Sequence, residues 1–153
     1  MPKALGHYCV TKTYSPERGF SCTFRQWRAD SHCKFLHGYA LGVSLCFASD
    51  TLDDRHWVYD FGALKWVKDF LEQTFDHTTC IAADDPALAQ FEQMDQDGLI
   101  QLRVLPSVGC ESFARIIYDF IQPRVENETQ GRVALHRVTV SEHSGNSATY
   151  QAD

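Results

Sequence analysis

Cys33 is the first residue of the chain whose neighbours suggest chemistry. It stands in a polar loop, after His32 and before Lys34. Nearby cationic groups favour the thiolate, which is the reactive form of a cysteine. The loop therefore predicts a reactive thiol, and spacing alone leaves open the alternative that Cys33 is an incidental loop residue.

Asp76 and His77 form a second candidate, directly after a predicted helix. A carboxylate that orients an imidazole is the usual support for a general base. The alternative is that His77 only interacts with the negative C-terminal end of the helix dipole. Taken by itself, the pair is compatible with both interpretations.

Glu142 is the third candidate, because it shares its strand parity with Val138 and Val140. A carboxylate on an apolar face needs a partner. A ligand with two adjacent N–H donors, as in a guanidinium group, would supply one. The alternative is a structural ion pair with Arg137 or Arg132 of a neighbouring strand or subunit.

The elements that must position these residues begin with a long strand. Large and small side chains alternate over residues 37–47, which predicts a strand with one bulky, buried face. Shorter predicted strands cover residues 7–14, 20–27, 57–59, 99–105, 132–142 and 148–151.

Two amphipathic helices are predicted between the strands. The first has Asp60 as its N-cap and runs for about 14 residues, and the second covers 111–122 and is stopped by Pro123. Residues 84–86, Asp-Asp-Pro, are predicted to start a short helix. The strands follow one another in local hairpins, so the fold class is α+β, an antiparallel sheet with helices on one face.

Composition sets the wider class of protein. A length of 153 residues suits one domain over residues 1–153. The formal net charge of -6 argues against nucleic-acid binding. No apolar stretch reaches membrane-spanning length and residues 1–6 lack a signal-peptide core, so we expect a cytoplasmic protein that does not enter membranes. The six cysteines contain no Cys-x-x-Cys pair, and we expect free thiols.

Six segments, in order over about residues 6–150, together resemble the 6-pyruvoyl-tetrahydropterin and 6-carboxy-tetrahydropterin synthase family. The match is most specific at Asp60-Phe61-Gly62-Ala63-Leu64-Lys65, followed by Phe75-Asp76-His77. The other four segments are Phe20 to Phe24, Cys33 to Tyr39, Cys110 to Ala114 and Val138 to Glu142.

The resemblance implies the tunnelling fold, in which each subunit has a four-stranded antiparallel sheet with two helices on one face. Subunits then join edge to edge into a barrel and two rings stack into a homohexamer. The implied activity is that of a lyase that eliminates triphosphate from 7,8-dihydroneopterin triphosphate, on a route to tetrahydropterins or to queuosine.

By the same resemblance, Cys33 is the proton-transferring thiolate and Asp76 with His77 its companion dyad. Glu142 anchors the 2-amino and N3 edge of the pterin, and Glu111 is a second candidate for that pocket.

Zinc is the implied cofactor, and at its site the chain departs from the family pattern. The family binds zinc through three histidines, whereas this chain has Phe24, His37 and Tyr39 at those positions. Cys22 is a candidate substitute ligand beside His37, and His7 and His32 are two further candidates for binding the zinc. Three hypotheses follow: a lyase with rearranged or absent metal, a pterin- or purine-binding relative that has lost zinc and the lyase activity, and a purely oligomeric scaffold. The joint retention of the thiol, the dyad and the anchoring glutamate argues against the scaffold.

Overall fold

One mixed sheet with helices packed against it makes up the described part of the chain, residues 7–153 of a computed structural model. The strands are β1 (Tyr8–Tyr14), β2 (Phe20–Phe24), β3 (His37–Ser49), β4 (Thr78–Ala82), β5 (Leu102–Leu105), β6 (Ala134–His143) and β7 (Asn146–Gln151). The helices are α1 (Lys65–Phe75), α2 (Leu88–Gln96) and α3 (Cys110–Glu128). The α+β class is therefore confirmed.

β3 is the centre of the sheet, and its predicted alternation is confirmed. Its large side chains face the core, where Leu41, Val43, Leu45 and Phe47 are fully buried. The strand is long enough to pair antiparallel with β2 through its first half and with β1 through its second half, on the same edge. β6 covers the opposite edge, and β7 continues the sheet beyond it.

The sheet is larger than the four antiparallel strands that the resemblance implies. β4 pairs parallel with β2, and β5 pairs parallel with β4. The sequence pattern did not predict β4 because all five of its residues are buried. A strand covered on both faces does not alternate between polar and apolar residues.

The two predicted amphipathic helices are present with different limits. Asp60 accepts a hydrogen bond from the Gly62 backbone N–H at 2.8 Å, but it caps a short 3₁₀ turn, Phe61–Ala63, and α1 begins only at Lys65. The predicted strand over 57–59 is wrong, since these residues form a bend before that turn.

The prediction that Pro123 ends the second helix is also wrong. α3 continues through Pro123 to Glu128. Proline in a helix removes one backbone hydrogen bond and costs roughly 3 kcal/mol. Ile121 and Val125 flank it and are fully buried, and burial of each such side chain contributes about 1.5–3 kcal/mol. Packing therefore outweighs the local cost.

Between residues 7 and 153, none of the helices combines the length and the apolar character that are required to cross a lipid bilayer.

Candidate functional site

Four of the predicted site residues line one cavity of about 610 Å³. They are Cys33, His37, Glu111 and Glu142, which come from a loop, from β3, from α3 and from β6. The other lining residues are Phe24, Gln26, Tyr39, Gly109, Cys110, Gly145, Asn146, Ser147 and Ala148. The cavity therefore collects groups that are more than 100 residues apart in the chain.

Backbone hydrogen bonds hold the Cys33 loop in place. Cys33 lies in a 3₁₀ turn whose N-cap, Ser31, accepts a hydrogen bond from the Cys33 N–H at 3.3 Å. The Cys33 carbonyl in turn accepts from the Gln26 N–H at 2.9 Å. The thiol is half-buried, so it is partly screened from solvent and still reaches the cavity.

A buried ion pair anchors the same loop to the segment before α2. The Arg25 guanidinium donates to both carboxylate oxygens of Asp85 at 2.8 and 2.7 Å, and it also donates to the Lys34 carbonyl at 3.3 Å. The Asp85 side chain is 1% exposed, and the hydrogen bonds from Arg25 lower its pKa. This pair therefore connects the position of the Cys33 loop to the core.

Phe24, His37 and Tyr39 form an aromatic cluster at the cavity wall. Strand register brings them together, because Phe24 lies opposite His37 across β2 and β3. Their ring centroids are separated by 5.5 Å for Phe24 and His37, 6.0 Å for Phe24 and Tyr39, and 5.4 Å for His37 and Tyr39.

This spacing suits a three-histidine zinc site, but the residue types do not. Three imidazoles bound to one zinc at about 2.0–2.1 Å place their ring centroids roughly 5 Å apart. Phe24 offers no donor atom and Tyr39 only a protonated phenol, so His37 is the single imidazole of the three. The residues at these positions therefore do not fit a zinc ion.

The substitute ligands considered from sequence lie elsewhere or are engaged. Cys22 is buried and its sulfur lies 3.6 Å from the Cys80 sulfur, a contact that raises the pKa of Cys22. The His7 ring lies 6.4 Å from that of His136 in a tilted arrangement, at the far end of β3 and roughly 35–40 Å from His37. His32 is an exposed residue of the Cys33 turn and does not line the cavity. Across the described residues, no group of three histidine, cysteine or acidic side chains is arranged to hold a metal.

One wall of the cavity is acidic. Glu142 accepts a hydrogen bond from the Asn146 side-chain amide at 3.0 Å, and Glu111 lies in the first turn of α3. Neither arginine proposed as an ion-pair partner reaches Glu142: Arg132 donates to the Thr51 and Val58 carbonyls, and Arg137 contacts the Cys46 sulfur. Within one chain, Glu142 is thus available to a ligand with N–H donors.

Asp76 and His77 do contact one another, but outside this cavity. The Asp76 carboxylate lies 3.1 Å from His77 Nδ1 and also accepts from the Ser21 N–H at 3.0 Å. His77 has a positive φ of 56° and its side chain is 77% exposed. Asp76 lines a separate cavity of about 370 Å³. A single chain therefore does not bring the dyad to Cys33.

Four polar residues of the cavity were not predicted as site residues: Gln26, Tyr39, Asn146 and Ser147. From the sequence, Tyr39 was considered only as a residue that replaces a zinc ligand, and Asn146 was assigned no role. Tyr39 and Asn146 could have been found from their positions in the sequence. Tyr39 follows His37 by two residues and so lies on the same face of the strand. Asn146 follows Glu142 across the β6–β7 turn, and the register shift there brings their side chains together.

Cys110 allows a prediction about alkaline stability. Burial, followed by the charges of Glu142 and Glu111, raises the pKa of Cys110 from 9.0 to about 12. Between pH 9 and pH 12 the unfolded chain releases this proton while the folded chain keeps it, so the free energy of unfolding falls as pH rises, by on the order of 2–4 kcal/mol. Urea denaturation across this range should show a smaller fall for Cys110→Ala, and an identical slope in both proteins would contradict the assignment.

Comparison with known proteins identifies a family whose sequence pattern this chain matches. A family model described as 6-pyruvoyl tetrahydropterin synthase matches residues 13–153. A search of curated proteins finds no match.

Solved structures with the same fold include an uncharacterized protein from Wolinella succinogenes, with a TM-score of 0.82 at 21% identity, covering 96% of this chain and 99% of that one. A catalytic-residue mutant of 6-pyruvoyltetrahydropterin synthase from Plasmodium vivax has a TM-score of 0.71 at 17% identity, covering 97% and 99%. The 6-pyruvoyl tetrahydropterin synthase of Caenorhabditis elegans has a TM-score of 0.65 at 16% identity, covering 97% and 98%. The expected tunnelling fold is thereby confirmed.

Proposed function

Because the chain belongs to the 6-pyruvoyl tetrahydropterin synthase family, we propose that it is a pterin-processing lyase acting on 7,8-dihydroneopterin triphosphate. One observation carries this proposal: Cys33, Glu111 and Glu142, from distant parts of the sequence, line the same cavity. The reaction would yield a tetrahydropterin of the kind used in biopterin or queuosine synthesis.

Glu142 is the proposed anchor for the pterin ring. A carboxylate offers two oxygens to two parallel N–H donors, and the 2-amino group and N3 of a pterin present such a pair. The Asn146 amide, which now donates to Glu142 at 3.0 Å, would yield one oxygen to the ligand. A volume of about 610 Å³ lies within the range of small-molecule sites.

Cys33 is the proposed base. Its thiolate takes a proton from the side-chain carbon next to the CH₂–O–triphosphate group, and an S–H bond forms. The C–H electron pair becomes a C=C bond, and the C–O bond breaks so that triphosphate leaves with its electron pair. The half-buried sulfur can contact substrate while water is partly excluded.

Asp76 and His77 are the proposed second acid–base pair. Since they lie outside the Cys33 cavity of their own chain, a neighbouring subunit must supply them. The outer edge of β7 is unpaired within the described residues, and such edges favour pairing with another copy. We propose that the chain forms the homohexamer implied by the resemblance. We also propose that the protein is located in the cytoplasm, where the cysteines stay reduced.

Zinc has no role in this proposal, because Phe24 offers no donor atom and Tyr39 offers only a protonated phenol. That same observation favours the second candidate function, in which the protein binds a pterin or purine and has lost the lyase activity. The two functions share the Glu142 anchor and differ at Cys33.

The test follows triphosphate release from 7,8-dihydroneopterin triphosphate, with pterin binding and metal content measured on the same preparation. We expect release by the wild type, a loss of at least about 100-fold in Cys33→Ala, and little change in Cys9→Ala, which removes an exposed thiol outside the cavity. Binding without turnover in the wild type would instead establish the second candidate. If no pterin binds, both are wrong.

A further inference from the structure

The Tyr39 ring is held rigidly in the cavity wall. Its centroid lies 5.4 Å from that of His37 with the planes at 86°, and 6.1 Å from that of His143. On its third side the Phe24 ring lies 6.0 Å away. The direction of the phenol is therefore set by packing before any ligand arrives.

The Tyr39 hydroxyl makes no hydrogen bond to the described residues, whereas the side-chain amides of the cavity wall and His37 Nδ1 are engaged. The Gln26 side-chain amide donates to the Val108 carbonyl at 2.8 Å, and the Asn146 amide donates to Glu142. His37 Nδ1 lies 2.7 Å from the Phe35 carbonyl, which uses the proton of a neutral imidazole and leaves Nε2 as an acceptor. Tyr39 thus carries a free O–H donor in an otherwise acceptor-rich cavity.

The phenol keeps its proton at neutral pH. Burial, followed by the charges of Glu142 and Cys33, raises the pKa of Tyr39. Tyr39 and Cys33 line the same cavity, so a ligand whose side chain approaches Cys33 also presents the oxygens of that side chain to the wall that carries Tyr39.

We infer that Tyr39 is a specificity-determining residue whose hydroxyl donates a hydrogen bond to an oxygen on the ligand's side chain. This inference rests on the proposed function and names the part of the ligand that each wall recognises. The acidic wall takes the N–H edge of the ring, and Tyr39 takes an oxygen of the substituent. A neutral O–H donor at this point also fixes the position of the ligand's side chain relative to Cys33.

The experiment compares two ligands that differ only in the substituent. Neopterin carries hydroxyl groups on its side chain, and 6-methylpterin carries none. For Tyr39→Phe we expect the dissociation constant for neopterin to rise about tenfold, while that for 6-methylpterin stays within about twofold. Titration calorimetry or pterin fluorescence measures both, and the thermal midpoint of each variant verifies folding.

Tyr150→Phe is the matched control, since Tyr150 packs against Tyr118 and does not line the cavity. It should leave the affinity for both ligands unchanged. Equal weakening of both ligands by Tyr39→Phe, or no weakening of either, overturns the inference while the proposed function stands. A wild-type protein that binds neither compound overturns the proposed function and the inference together.

Discussion

Replacing Phe24 and Tyr39 with histidine is expected to turn the cavity wall into a zinc site. The ring centroids of Phe24, His37 and Tyr39 are already 5.4 to 6.0 Å apart, close to the spacing of three imidazoles on one metal. His37 is also prepared for this role, because its Nδ1 lies 2.7 Å from the Phe35 carbonyl. Such a backbone partner orients a histidine and frees Nε2 for a metal.

The Phe24→His/Tyr39→His variant should bind one zinc per chain at least about 100-fold more tightly than the wild type. Without metal it should be less stable, since Phe24 is 3% exposed and a buried imidazole without a partner is costly. Zinc at 100 times its dissociation constant should restore about 2.7 kcal/mol. Calorimetric titration and thermal unfolding with and without zinc measure both effects.

The single variants Phe24→His and Tyr39→His provide the controls, because each leaves the site one histidine short. A third control adds His37→Ala to the double variant and should abolish the gain. A wild-type protein that binds zinc as tightly as the double variant would mean that other residues hold the metal. In that case the explanation based on Phe24 and Tyr39 fails.

Breaking the Arg25–Asp85 pair should have the largest effect on stability. Asp85→Asn removes the charge opposite Arg25, whose guanidinium approaches the carboxylate at 2.7 and 2.8 Å. The Arg25 side chain is 21% exposed and also donates to the Lys34 carbonyl, so its charge is partly compensated in the variant and the expected cost is about 2–3 kcal/mol, below that of a fully buried pair. Urea denaturation at neutral pH measures this change in the free energy of unfolding.

The adjacent residue offers a matched control. Asp84 forms an ion pair with Arg28 at 2.8 Å, but its side chain is 55% exposed, so Asp84→Asn should change the free energy of unfolding far less than Asp85→Asn does. Similar losses in both variants would show that Asp85 is not the buried member of an essential pair.

The Arg25–Asp85 pair should also affect how the free energy of unfolding changes at acidic pH. Arg25 lowers the pKa of Asp85 in the folded state, so its stabilisation is present above the unfolded pKa of about 4 and is lost as pH falls through the folded value. The wild type should therefore lose stability faster than Asp85→Asn as pH is lowered from 4. Because Arg25 also bonds the Lys34 carbonyl, the variant should expose Cys33 to thiol reagents more readily.

Patterns with a period decided much of the fold. The alternation along β3 follows directly from the face that the strand buries. In α1 the buried residues are spaced four apart for the same reason: Val67, Leu71 and Phe75. β4 had no such period, because both of its faces are covered. At Pro123 the local rule failed, since core packing on either side of the proline outweighed a lost hydrogen bond.

The sequence by itself determined which reactive groups exist and which family motifs surround them: Cys33, the Asp76–His77 pair and Glu142 are all visible as residue types in context. Only the tertiary structure decided their grouping. It placed Cys33 and Glu142 in one cavity and Asp76 in another, because contacts between distant segments depend on sheet register and helix packing rather than on neighbouring residues. It also packed Phe24 and Tyr39 around His37 as an aromatic cluster, whose spacing suits three zinc ligands although the side chains of Phe24 and Tyr39 do not.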